Sequence, residues 1–361
     1  MPELLLQDTN PYRTRRASLW RGGDDAYLYL EDLTGAAPAT ISAVWVGNAT
    51  PAPQHAMVPS EPGAPARMMA GGTRFPNGCP PLDGPRIVWF EEGDGIALVD
   101  RAGIVAAIPG WAGHEGFYGY ARWALGRSPL AWEMSGSVEA SLVDKVRRSD
   151  DYWHWRLAPA ARAWDEICSD GLDHLTRTLG PPEDVRDGAP GRFPELALSR
   201  HRAGTTDVWV TVTTGLSGAR MPGIDHVVDD PGPVSRIELA IARDHPDEVG
   251  FQLLASLAAI PFGRMTWLGE GHTIGGRPGS FPALGEDCFG VLLTTRPPGR
   301  FPDLSGPERR SDPIRYLWVV GIDAPTFDLV RARGSAVALA HLTERGDSFV
   351  HRARTVVASI R

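Results

Sequence analysis

The chain has 361 residues, of which 42% are hydrophobic and 22% charged, and a net charge of −8; at roughly 150 residues per domain this allows two domains with real cores and excludes general disorder. The charge divides evenly, with 13 basic and 17 acidic side chains in residues 1–150 and 23 and 27 in residues 151–361. Neither half has the basic surplus that nucleic acid or an anionic membrane surface selects, so neither is an expected partner.

The start, Met1-Pro2-Glu3-Leu4-Leu5-Leu6-Gln7-Asp8, lacks the basic flank and apolar core of a signal peptide, and no apolar stretch of about 18 residues occurs, so a soluble, cytoplasmic protein is expected. Strands are predicted at 26–30 and 41–46 from their aromatic and β-branched content. From Pro51 to Pro85, nine prolines and five glycines in 35 residues predict a loop. Three short apolar runs, 86–91, 96–100 and 104–108, then predict a β-meander. Helices are predicted over 117–125 and over 138–148, the second capped by Ser137 with Val138, Leu142, Val143 and Val146 on one face. The polar run Arg147-Arg148-Ser149-Asp150-Asp151 marks the expected boundary between a β-rich domain (1–150) and a second domain (151–361).

In the second half a helix is predicted over 159–179, ended by Gly180-Pro181-Pro182. Alternation of apolar and polar residues predicts half-buried strands over 207–214 and 236–242. A helix follows over 246–259, then strands near 265–268, 288–294 and 314–322, and a last helical region that Asp323 can cap. The strands at 207–214, 236–242, 288–294 and 314–322 are expected in one sheet. The mixture lacks strict βαβ alternation, so the fold class is α+β.

Chemistry-bearing motifs are scarce. There is no G-x-x-x-x-G-K-[ST], and Lys145 is the only lysine in the chain. Gly269-Glu270-Gly271-His272-Thr273-Ile274-Gly275 has its third glycine one position late for a dinucleotide loop and no helix behind it, so no cofactor is expected. Gly215-Leu216-Ser217-Gly218 falls short of a G-x-S-x-G elbow. The ten histidines are scattered, His114-Glu115 lacks the second histidine of H-E-x-x-H, and Cys79, Cys168 and Cys288 are too far apart for a zinc knuckle, so no metal site is expected. Glu91, Glu92 and Asp94 invite a paired-carboxylate reading, but a glycine-rich hairpin favours a solvated turn. Six of the twelve tryptophans, Trp111, Trp123, Trp132, Trp153, Trp155 and Trp164, fall within 54 residues; core packing is weighed there against a recognition surface.

The order of the second-half motifs is more specific than any one of them. Val212-Thr213-Thr214-Gly215-Leu216-Ser217, Arg236-Ile237-Glu238-Leu239, Thr266-Trp267-Leu268-Gly269-Glu270-Gly271-His272-Thr273, Phe289-Gly290-Val291-Leu292-Leu293 and Tyr316-Leu317-Trp318-Val319-Val320-Gly321-Ile322 follow one another with a helix correctly interposed. Over about 160–345 the chain resembles the suppressor of fused domain family, and its first half resembles an extension found on actinobacterial members. The resemblance implies an α+β fold, a mixed and mostly antiparallel sheet packed with helices behind a smaller β-rich domain. It also implies a non-enzymatic module that binds a protein or an extended peptide segment, with an immunity role against a polymorphic toxin proposed for bacterial members. The residues carried over as family-motif or partner-binding candidates are Trp209, Gly215, Leu216, Ser217, Trp267, Gly271, His272, Thr273 and Trp318. The alternative is a hydrolase with a histidine- or metal-based site near His272; an architectural role for Trp267, Gly271 and His272 is expected instead.

Overall fold

The computed structural model describes residues 2–55, 66–203, 207–296, 301–345 and 350–351. The chain divides into two compact units: Met1–Ala161 with Pro222–Asp229 and Phe262–Met265, and Arg162–Met221 with Asp230–Pro261 and Thr266–Arg361.

The first unit opens with an antiparallel meander of β1 (Glu3–Thr9), β2 (Arg15–Arg21), β3 (Asp25–Asp32) and β4 (Ala39–Asn48). A second sheet follows in sequence order, β5 (Arg86–Trp89), β6 (Ile96–Asp100), β7 (Gly103–Ile108), β8 (Tyr120–Ala121) and β9 (Trp132–Glu133), the last pair parallel. Alternation puts Leu28, Leu30, Val44 and Trp45 of one sheet and Ile96, Leu98, Val105 and Ile108 of the other into a single core. Helix α1 (Gly136–Leu157) closes the far side of the second sheet, its Leu142 and Val146 packing on Val88, Phe90 and Ala97. The tryptophan-rich stretch is largely core: Trp123 is buried in the first cluster, and Trp111, Trp132 and Trp153 pack against it.

The second unit contains α2 (Ala163–Leu179), β10 (Pro182–Asp187), β11 (Ala197–Arg202), β12 (Trp209–Thr214), β13 (Arg236–Arg243), α3 (Val249–Ala258), α4 (Ile260–Arg264, whose last three residues count to the first unit), β14 (Thr273–Gly275), β15 (Gly290–Thr294), β16 (Glu308–Arg309), β17 (Asp312–Ile322), α5 (Ala324–Arg333) and α6 (Ser335–Glu344). One eight-stranded sheet runs β10-β11-β12-β13-β17-β15-β14, with β16 added to the start of β17; the β13–β17 pair is parallel and the others antiparallel. Leu175 and Leu179 pack on one face with Val210, Val212, Tyr316 and Trp318, while Phe327, Val330 and Leu342 cover Leu292, Val320 and Ile322.

The α+β class and the shared sheet of the four expected strands are as the sequence indicates, and Asp323 Oδ1 accepts the Thr326 N–H to cap α5. Several elements differ. Residues 117–125 form turns and the short β8 in place of a helix, because Phe117 and Trp123 must both be buried, the first stacked on Trp111 at 4.4 Å. The polar run 147–151 lies inside α1, which starts two residues earlier than expected, at Gly136, and continues to Leu157 because Ser149 and Tyr152 face inward. The 159–179 helix is broken at Arg162, whose φ of 50° ends a 3-10 turn before α2 begins. Residues 265–268 carry no ladder, and β1, β2, β10 and β11 are strands that composition did not signal.

Gly215 follows β12 with φ of 117°, and a Cβ there would stand 2.6 Å from the Glu195 carbonyl oxygen and 2.7 Å from the Trp164 ring. Gly215→Ala is therefore expected to destabilise the protein by about 2–4 kcal/mol through combined backbone strain and overpacking. Urea denaturation checks this: the midpoint should fall with little change in slope, and an unchanged midpoint would contradict the described backbone path.

Candidate functional site

Two polar clusters lie below the surface, one in each unit. In the second unit, β13 is buried along its whole length and carries Glu238 as its third residue, 2% exposed. The turn after β12 wraps this carboxylate: Oε1 accepts the Gly215 N–H (2.9 Å), the Ser217 N–H (3.0 Å) and the Ser217 hydroxyl (2.6 Å), and Oε2 accepts the Thr213 hydroxyl (2.6 Å). Thr213 Oγ1 in turn accepts the Leu239 N–H at 2.8 Å. Burial pushes the Glu238 carboxyl above its ordinary range, and the hydrogen bonds from Ser217, Thr213 and Gly215 work in the opposite direction. Two positions earlier, Arg236 donates through Nε to Asp312 Oδ2 (2.9 Å) and through Nη1 to the Ser217 carbonyl (3.1 Å). Arg220 grips the same aspartate with both ends of its fork, at 2.8 and 2.7 Å. Residues of the Val212–Ser217 and Arg236–Leu239 motifs thus meet in one network, together with the first residue of β17.

The carried-over candidates occupy three places. Gly215, Leu216 and Ser217 form the cage around Glu238. Trp267, Gly271, His272 and Thr273 surround the start of β14: the Trp267 and His272 rings are 4.1 Å apart, Gly271 (φ 83°) donates to the Leu293 carbonyl, the His272 carbonyl accepts the Leu293 N–H, and Thr273 sits opposite Leu292. Burial lowers the His272 pKa. Trp209 stands apart at the start of β12, donating to Glu183 Oε2 at 2.8 Å, and Trp318 is buried in β17 beside Phe301, with ring centroids 4.9 Å apart.

Trp318 also lies under a cleft of about 600 Å³ walled by Arg296, Phe301, Glu308, Arg315 and Tyr316. The cleft coincides with an interruption in the sheet. The β15 ladder on β17 stops at the pair Thr294–Trp318, and β16 covers only Asp312 and Pro313. The Ile314 N–H donates to Pro307 and the Ile322 carbonyl accepts from Phe289 on that same flank. Strand alternation therefore turns the Tyr316 main chain toward it as well, where no strand lies opposite among the described residues.

The first unit corrects the reading of Glu91, Glu92 and Asp94 as a solvated turn: their exposures are 7, 3 and 9%. They bend between β5 and β6 onto α1, where Lys145 Nζ pairs with Glu92 Oε2 at 3.3 Å and with Asp225, and lies 4.9 Å from the Phe90 ring centroid. Asp94 Oδ2 accepts the Gly223 N–H at 2.6 Å. Burial drives the Glu92 carboxyl up to about 7 against the pull of Lys145, with Asp225, Asp94 and Glu91 adding to the rise. Burial alone would lower the Lys145 pKa, but Glu92, Asp225 and Asp94 hold it above its ordinary value. Among the described residues no three His, Cys, Asp or Glu side chains converge as a metal site, and no helix is long and apolar enough to cross a membrane.

Residues 195–354 match the family model described as suppressor of fused protein (SUFU). This stretch is a suppressor of fused-like domain. The Glu238 cage, the His272 cluster and the β17 cleft all fall within the SUFU-like domain, whereas Lys145, Glu92 and Asp94 precede it. Among solved structures, a SUFU homologue from Neisseria gonorrhoeae is similar at 16% identity and TM-score 0.37, covering 52% of this chain and 93% of that one. The Sufu–Fu complex matches at 15% and 0.37, covering 52% and 88%, and Drosophila Suppressor of Fused at 14% and 0.36, covering 52% and 49%. No curated protein matches this chain.

Sequence reasoning quoted Glu238 and Arg236 only as motif letters and missed Asp312, Arg220 and Lys145 as network members. The available signals were an acid among apolar residues in a strand and a single lysine in a helix whose apolar face is made by Leu142 and Val146.

Glu92 has a folded pKa above its free value of 4.5, so the folded state holds an extra proton between about 4.5 and 7 and loses stability as pH rises through that window. Glu92→Gln, which imitates the neutral acid, is expected to raise stability at pH 8 by about 1–3 kcal/mol and to flatten the pH dependence. Thermal melts from pH 5 to 8 on the scale of about ten readings would decide it; a variant less stable than wild type at pH 8 would refute the buried-acid account.

Proposed function

We propose that the chain is a non-catalytic protein-binding module whose SUFU-like domain takes an extended segment of a partner protein in the cleft beside β17. The observation that carries this reading is the coincidence of that cleft with the Tyr316 main chain, which no strand covers on that flank among the described residues. An extended segment placed there gains main-chain hydrogen bonds from the strand and side-chain contact from Phe301 and the flanking prolines, which is the logic of strand addition. The net charge of −8 favours faster encounter with a basic segment. The three cysteines are unpaired, which fits a reducing cytoplasm.

The finer form of the proposal is that the bound protein is a toxin and the chain its immunity protein. Co-expression with the partner then restores growth, and a partner without toxicity removes this finer form alone. The hydrolase alternative gains no support at His272, since among the described residues no carboxylate, serine or cysteine hydrogen-bonds its ring.

A phage-displayed random peptide library panned on the full chain tests the cleft. Ser305, exposed on the cleft wall, offers a block: Ser305→Trp is expected to weaken the selected peptides by about tenfold or more, the equivalent of losing one well-made contact. Equal binding by Ser305→Trp, at an unchanged melting temperature, would place the peptides elsewhere.

A further inference from the structure

We propose that a water-sized pit next to this cleft is a hydroxyl-binding site, occupied by one ordered water in the free protein and by a serine or threonine side chain of the bound segment. The inference rests on the cleft reading above and adds its specificity. The pit has a volume of about 30 Å³ and shares Pro307, Glu308, Ile314 and Tyr316 with the cleft, so the two adjoin. That volume accommodates one water or one hydroxyl and little else.

Its walls carry unsatisfied polar atoms. Thr214, 3% exposed, leaves Oγ1 without a hydrogen-bond partner. Arg309, 7% exposed, spends Nη1 on Asp170 (3.2 Å) and Nη2 on the Ile167 carbonyl (3.5 Å) and leaves Nε without one. Both residues line the pit. Leaving a buried donor unmade is costly, so a group that satisfies both atoms is favoured there.

The surroundings define that group. Glu238 and Asp170 also line the pit and repel an anion, while the Arg309 guanidinium repels a cation. A neutral group that accepts from the Arg309 Nε–H and exchanges a hydrogen bond with the Thr214 hydroxyl meets every condition. Water and an aliphatic hydroxyl are the two such groups of this size. The Glu238 carboxylate, already holding four hydrogen bonds, fixes the pit floor.

The test uses the full chain and two variants. A crystal structure of the wild type should show a water bonded to Thr214 Oγ1 and Arg309 Nε, absent in Thr214→Val and present in Thr214→Ser. Peptides selected from the random library on the wild type should carry serine or threonine at one fixed position. Their affinity should drop about tenfold with Thr214→Val and hold with Thr214→Ser. Selected peptides that block at Ser305→Trp yet show no hydroxyl preference, or bind Thr214→Val as tightly as wild type, overturn the hydroxyl site and leave the cleft standing. Failure to select any peptide sensitive to Ser305→Trp sinks the cleft reading and takes the serine or threonine occupant with it. A dry pit in the wild-type crystal overturns the proposal whatever the peptides do.

Discussion

A carboxylate buried among main-chain and hydroxyl donors holds the second unit in order. Glu238 has no cation among its hydrogen-bonding partners, yet its oxygens are filled by the turn that ends β12. Removing the carboxylate would strand two buried N–H groups and two buried hydroxyls without their acceptor, which makes the turn and the strand conditional on one another. Arg236 extends the constraint from β13 to Asp312, the first residue of β17, and so helps to fix the one parallel pairing in the sheet. Parallel neighbours cannot be set in register by a hairpin, so a side-chain tie at the start of the pair supplies what the connection does not.

This arrangement also suits the cleft to the proposed binding of an extended segment. Its floor is built from strands locked by charged hydrogen bonds and by a hydrophobic layer of Val210, Val212, Ile314 and Trp318 beneath them. A rigid floor keeps the Tyr316 main chain where a guest strand needs it, so little ordering cost falls on the protein when the guest arrives.

The sequence made the central strands legible because their alternation is local: Val208, Val210 and Val212 against Trp209, Thr211 and Thr213 can be read without knowing any neighbour. The charged edge strand β10, Pro-Glu-Asp-Val-Arg-Asp, could not be read that way, because exposed edges are kept polar and lose the apolar period. The acid cluster at Glu91, Glu92 and Asp94 was misleading for a different reason. A glycine-rich turn is ordinarily solvated, and here α1, the distant Asp225 segment and the turn carrying Asn10 and Tyr12 make it an interior site. Burial of this kind is a property of the assembled chain and has no signature within the turn itself. The motif letters of Gly215, Ser217 and Glu238 were visible, whereas their mutual hydrogen bonds required the fold.

The first unit is discontinuous in the chain: Lys145 stands in α1, but Asp225 is supplied only after the first segment of the second unit, Arg162–Met221, has been made. During synthesis at ordinary ribosomal speeds, the lysine and the turn carrying Glu92 and Asp94 wait on the order of ten seconds for that segment. Through that interval the nascent first unit has its two sheets but lacks residues 222–229 and 262–265, so Ile224, fully buried in the finished protein, has yet to arrive. A nascent chain stalled before residue 222 therefore presents surface that the finished first unit covers.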